Sequence, residues 1–280
     1  MSYTDRSANR KLPTVNPKTK TINQTLSNRY IGESVKRRED KRFITGKGRY
    51  TDDIVLPGML HAHFVRSPYA HARVVSVDLT EAKAMPGVIA IYTGDDVADV
   101  NGVPCGWQVN FRSGEAMREP KHPMLIPTGS TAKHVGDAVA VVIAETKDIA
   151  IDAAELVMVE WEELPAVAAP ADALSSDAPK VHEQFPDNKA FDWTFGNPIE
   201  EVDAAMAKAA HITGLEFVNQ RVVPNAMEPR AYIGSYDETY DKYTLYTSTQ
   251  NPHLIRLLMC AFVLGIPEHK VRVVGPDVGG

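Results

Sequence analysis

The chain has 280 residues, 44% apolar and 24% charged, which excludes a wholly disordered polymer because enough apolar surface exists to offset chain entropy. Its longest apolar runs, such as residues 138–144, fall far short of the roughly 20 residues that span a bilayer, and two cysteines exclude a disulfide framework. The net charge of −6 is uneven: residues 1–48 carry 12 Lys/Arg against 4 Asp/Glu, and the rest carries 18 against 32.

Residues 1–30 are polar with little periodicity and read as a disordered basic tail, solvated or lying against acidic surface. Nucleic acid is not expected as its ligand, because no aromatic residues interleave its charges. Residues 1–15 lack the apolar core of a secretory leader, and a cytoplasmic location is expected. The segment 59–67 alternates between Pro57-Gly58 and Pro68 and reads as a strand. Residues 73–79 and 88–93 read as two further strands around a short helix from Thr80 to Met85. A Gly- and Pro-rich loop covers 94–135. The continuous apolar run 138–144 reads as a strand buried on both faces. Ile149, Ala150, Ala153 and Ala154 recur at helical spacing in 147–156, and 157–161 closes the unit as a strand. The order predicts a compact α/β (α+β) unit over 31–165.

Residues 166–204, rich in Ala, Pro and Ser, read as a surface linker. A helix over 200–210 leads into strands at 211–218, 230–236 and 243–248. Asn251 and Pro252 suit the N-cap and first position of a helix over 252–264, whose end falls at Gly265. A strand over 271–274 runs into the glycines at 275, 279 and 280. A double glycine after a strand usually precedes an element that approaches a ligand, so the sequence is expected to be the N-terminal part of a longer protein.

Four constellations bear on chemistry. His61 and His63 share one strand face with His71 nearby, but half-buried histidines bonded to backbone are preferred over a metal site. Glu228 and Arg230 read as a buried ion pair fixing a strand entry, rather than as a base or ligand. Gln250 sits between a strand end and a helix start, where α/β folds place ligands, and its amide both donates and accepts; an ordinary cap is the equal alternative. Gly279 and Gly280 permit close backbone approach, but neither GxGxxG nor GxxxxGK[ST] occurs.

Separated motifs resemble, in order and spacing, one known family. They are IGESVKRRED (31–40), GKGRYTDD (46–53), LPGML (56–60), FVRSPYAHAR (64–73), PGV (86–88), EWEELP (160–165), STQNPH (248–253), GIPEHKVR (265–272) and PDVGG (276–280). The chain resembles the molybdenum hydroxylase large subunits of the xanthine dehydrogenase and aldehyde oxidase family, most of all the aerobic carbon monoxide dehydrogenase large chain. The resemblance implies a hammerhead domain over 31–165 and the truncated start of a molybdopterin-binding domain over 205–280. It implies that Gln250 lies beside a molybdenum oxo ligand. It also implies that Gly279 and Gly280 open a Gly-Gly-Gly-Phe-Gly loop approaching the metal.

The implied reaction is oxidative hydroxylation of an aldehyde, an N-heterocycle or carbon monoxide, with water as oxygen source. The implied cofactor is molybdenum-molybdopterin, in the cytosine dinucleotide form. An iron-sulfur small subunit (2Fe-2S) and an FAD-binding medium subunit are the implied partners, in a dimer of heterotrimers. The base glutamate is expected downstream of residue 280, so no catalytic residue and no metal ligand is expected within the sequence, and Cys105 and Cys260 do not match the copper-holding cysteine. The rival is a non-catalytic hammerhead assembly module.

Overall fold

A computed structural model describes residues 33–102, 104–219 and 223–280. The tail expected over 1–30 lies outside them. The chain divides into two units, 1–48 and 49–280. Within the first, helix α1 (Asp40–Ile44) starts beside an ion pair between Arg37 Nε and Asp40 Oδ1 at 2.9 Å.

In the second unit, β1 (His61–Arg66), β3 (Val88–Thr93) and β5 (Ala138–Ala144) form an antiparallel sheet in the order β1-β5-β3. The central strand is the apolar run, and its Val139, Ala140, Val142 and Ala144 are wholly buried. Both its edges are paired and both its faces covered, so no position needs a polar side chain. A second antiparallel sheet contains β2 (Ala72–Asp78), β4 (Thr131–Ala132) and β6 (Met158–Glu163), in the order β4-β2-β6.

Two short helices complete this part, α2 (Thr80–Ala84) and α3 (Lys147–Glu155). Thr146 caps α3 by accepting the Ile149 N–H at 3.2 Å. Ala150, Ala153 and Ala154 form its buried stripe, and the latter two join Val142, Ile91, Ala82 and Val157 in the main core. Small side chains let the helix lie close to the sheet, which is why the stripe is alanine. A smaller cluster of Val74, Ile126 and Val139 connects the two sheets.

The residues after β6 lie on this body. The Asn188 side chain accepts from Val181 N–H and donates to the Ala173 and Pro179 carbonyls. Arg118 reaches Asp187 at 2.6 Å and packs over the Phe111 ring. Helix α4 (Ile199–Ala207) follows, with no buried residue.

The third sheet combines β7 (Tyr232–Asp237), β8 (Lys242–Thr247) and β9 (Val271–Val274) in the order β7-β8-β9. β7 and β8 are an antiparallel hairpin; β8 and β9 run parallel, Tyr243 opposite Val271. A parallel pair requires a crossover, supplied here by α5 (Pro252–Leu258) and a π-helical turn over Met259–Leu264.

Three expectations need correction. Residues 211–218 are not a strand: Leu215, Phe217 and Val218 are largely exposed, and no described strand pairs with them. Alternation supplies a face but not the partner that satisfies the backbone. The helix expected over 252–264 is α-helical only to Leu258, and the Asn251 side chain makes no capping bond; instead its N–H donates to Thr249 Oγ1 at 3.0 Å. The short strand β4 lay within the stretch read as loop.

Candidate functional site

Because β8 and β9 are parallel, their C-terminal ends open at the same edge of the sheet. Gln250 lies three residues beyond β8, and the 275–280 segment leaves β9 directly. Parallel pairing therefore brings together two features 29 residues apart in sequence. This is the side on which open α/β sheets place ligands. The two exits run close together: a Cβ on Gly275 would stand 3.2 Å from the Thr249 carbonyl oxygen.

Glu228 joins the exits. Its Oε2 accepts the Ser248 hydroxyl at 3.0 Å and the Gly279 N–H at 2.6 Å. Its own N–H donates to the Gly279 carbonyl at 3.4 Å. Arg49 and Asp277 exchange two further bonds, from Arg49 N–H to Asp277 Oδ2 at 2.8 Å and from Asp277 N–H to the Arg49 carbonyl at 3.1 Å. The glycine segment is thus held on both flanks.

Glycine is required where the contact is tightest. A Cβ on Gly279 would stand 2.6 Å from Glu228 Cβ, and one on Gly280 would stand 2.8 Å from Ala226 Cβ. Gly280 also has φ 144°, which other residues rarely adopt.

Gln250 is exposed and its carboxamide makes no hydrogen bond to a described residue, so it is free to donate and accept. Among the described residues, three buried side-chain oxygens lack a partner: Thr51 Oγ1, Glu228 Oε1 and Thr247 Oγ1. Thr247 ends β8 and Glu228 joins its exit to the glycines, so two of the three belong to this edge. A buried oxygen without a partner is costly unless a donor from outside the described residues meets it.

The structure thus places Gln250, Gly279 and Gly280 at one edge. It overturns the ion pair read between Glu228 and Arg230: Arg230 is exposed, and the Glu228 carboxylate goes to Ser248 and Gly279 instead. Two residues apart on an extended segment allows a pair but does not compel one, and a half-buried hydroxyl and backbone N–H hold the carboxylate while the guanidinium stays solvated. Glu228 was therefore missed as the link of this edge, because its partners are 20 and 51 positions away. Of the three histidines singled out, His71 Nδ1 donates to the Pro165 carbonyl at 2.8 Å, while His63 is exposed rather than half-buried.

Comparison with known proteins identifies two domains in the chain. Residues 45–165 match the "Aldehyde oxidase and xanthine dehydrogenase, a/b hammerhead domain" family, and residues 181–280 match the "Molybdopterin cofactor-binding domain" family. The chain is 36% identical to the carbon monoxide dehydrogenase large chain of Afipia carboxidovorans, over 89% of this chain and 31% of that one. It is 34% identical to the nicotine 6-hydroxylase large subunit of Paenarthrobacter nicotinovorans, over 91% of this chain and 30% of that one. The crystal structure of quinoline 2-oxidoreductase from Pseudomonas putida 86 superposes with a TM-score of 0.70 at 38% identity, over 89% of this chain and 30% of that one. The chain therefore spans less than a third of the length of these relatives. Both domain matches, in this order, show that the chain consists of a hammerhead domain of the aldehyde oxidase and xanthine dehydrogenase family followed by part of a molybdopterin cofactor-binding domain.

Proposed function

We propose that this chain is the amino-terminal part of the large subunit of a molybdopterin-dependent hydroxylase. The observation that carries the reading is the shared edge of β8 and β9, where a free carboxamide meets a glycine segment pinned by Glu228. The donor set suits an oxygen-rich, anionic group: Gln250 offers an N–H, and the backbone beside Gly279 and Gly280 has no side chain to hold a ligand away. When bound, molybdenum-molybdopterin supplies the two-electron chemistry of hydroxylation with oxygen from water. Gln250 orients and stabilises by hydrogen bonding, and Gly279 and Gly280 admit the group to the sheet edge. Glu228 keeps the two exits in register.

The domain division follows the same reading: hammerhead over 31–165, linker over 166–204, and molybdopterin-binding sequence over 205–280. Substrates of the whole enzyme would be an aldehyde, an N-heterocycle or carbon monoxide. The relatives named as large chains and subunits support an assembly with further subunits; a 2Fe-2S small subunit and an FAD-binding medium subunit, in a dimer of heterotrimers, are the proposed partners. The cytosine dinucleotide form of the cofactor and a cytoplasmic location belong to the same proposal. No described helix is long and apolar enough to cross a membrane.

The test reads the coding DNA beyond the Gly280 codon and expresses whatever frame continues with the partner subunits. Molybdenum in the purified complex, and incorporation of labelled oxygen from water into product, are the expected results. A complex that assembles and folds without molybdenum would favour the assembly-module alternative.

A further inference from the structure

We propose that His122, His134 and Asp137 form a binding site for a borderline-soft divalent cation such as zinc, separate from the edge of β8 and β9. Each offers one ligand atom, and the three atoms lie within 4.8 Å of one another. His122 Nε2 stands 2.9 Å and His134 Nε2 3.8 Å from the same carboxylate oxygen, Asp137 Oδ1. Ligands about 2.0–2.1 Å from a tetrahedral zinc ion are separated by roughly 3.3 Å, so the two distances bracket that spacing.

The tautomer of His134 carries the argument further. Its Nδ1 lies 3.1 Å from the Val135 carbonyl oxygen, which can only accept, so Nδ1 carries the hydrogen. In the neutral ring Nε2 then presents a lone pair to the Asp137 carboxylate. Two lone pairs facing across 3.8 Å are adverse unless a proton or a metal ion lies between them. A ring nitrogen bonded to a backbone carbonyl while the other points at a shared centre is the support that metal-binding histidines use. The rings of His122 and His134 stack at 6.0 Å between centroids, 26° apart, so both approach Asp137 from one side. On binding, His122 moves its Nε2 hydrogen to Nδ1 and turns the freed lone pair on the ion.

Asp137 is held ready. It is 4% exposed, its Oδ2 accepts the Lys133 N–H at 2.9 Å, and its carbonyl accepts the Ser67 N–H at 2.8 Å. His122 also lines a cleft of about 300 Å³, with Lys133, His182 and Glu183. Arg73 also lines this cleft, so net charge does not attract a cation there. Binding must come from directed imidazole bonds, which favour zinc over calcium or magnesium. His122 belongs to the long loop after β3, and His134 and Asp137 to the turn between β4 and β5. An ion here would fasten that loop to the sheet.

The test titrates zinc into the tag-free, chelator-stripped 280-residue chain by calorimetry, with cobalt absorption as a second reading of geometry. One ion per chain should bind, with a Kd of about 10 µM or tighter. His134→Gln and His122→Gln, both at exposed positions, should each weaken binding at least about tenfold while leaving the circular dichroism spectrum intact. The double variant His61→Gln/His63→Gln should bind as the unaltered chain does. Absence of saturable binding up to about 100 µM zinc, an unchanged Kd in His134→Gln, or loss of binding in the His61/His63 variant would each overturn the proposal.

Discussion

Glu228 and Gly279 hold each other by two hydrogen bonds, the carboxylate accepting the glycine N–H at 2.6 Å and the glutamate N–H donating to the glycine carbonyl at 3.4 Å. Hydrogen bonds to charged groups contribute about 1.5–3 kcal/mol. Glu228→Ala should therefore speed hydrogen exchange at the Gly279 amide by roughly ten- to a hundredfold, with little change along β5. Equal exchange in the variant and the unaltered chain would show that the glycine segment is held by other contacts.

Gly279→Ala tests the closeness itself. A methyl group 2.6 Å from Glu228 Cβ cannot be accommodated without moving backbone. The expected loss of stability is about 1–3 kcal/mol, read from the denaturant midpoint. Gly214→Ala is the control, since nothing lies within 4 Å of its added Cβ, and it should change stability by less than about 0.5 kcal/mol.

The two thiols should differ in reactivity. Cys105 is exposed and Cys260 is buried. Burial pushes the Cys260 thiol above the ordinary cysteine range, with Glu268 adding to the effect, so little of it is thiolate at mild pH. A thiol reagent at pH 8 should label one cysteine quickly and the other only on unfolding. Cys105→Ser should abolish the fast phase, and a fast phase surviving in that variant would contradict the burial of Cys260.

The Asp96 carboxylate accepts the Thr93 N–H at 2.7 Å and the Thr93 hydroxyl at 2.8 Å, at the end of β3. These bonds hold its carboxyl below the usual range. A lowered folded pKa gives stability that is complete above the unfolded pKa of about 4 and is lost as pH falls through the folded value. Asp96→Asn should therefore flatten part of the acid limb of stability below about pH 4. Carboxyl chemical shifts followed by NMR should titrate later for Asp96 than for an ordinary aspartate. Titration in the ordinary range would contradict these bonds.

The hammerhead part was legible in the sequence because its signals are local. The apolar run of β5, the alanine stripe of α3 and the Pro-Gly punctuation around β1 each state their own structure. Residues 211–218 misled because alternation reports a face and not a pairing partner. The 225–230 segment misled for a related reason: Glu228 acts on Ser248 and Gly279, which only the parallel pairing of β8 and β9 brings near. The cluster of His122, His134 and Asp137 was equally hidden, since His122 lies in a long loop with no periodicity to place it. Gln250, Gly279 and Gly280 were singled out from motif resemblance and from strand-end position; their common edge needed the sheet.

The central claim is that Gln250 faces the bound molybdenum centre. Its carboxamide is exposed and unbonded among the described residues, so Gln250→Ala should leave folding intact. The decisive measurement is steady-state turnover of the full-length, cofactor-loaded large subunit in complex with its partners, comparing Gln250→Ala with the unaltered protein at equal molybdenum content. Removing one oriented donor at such a centre costs on the order of 10²–10³ in kcat, and a fall of that size is the predicted result. Unchanged turnover at equal molybdenum content would contradict the account and return Gln250 to an ordinary residue at the start of a helix.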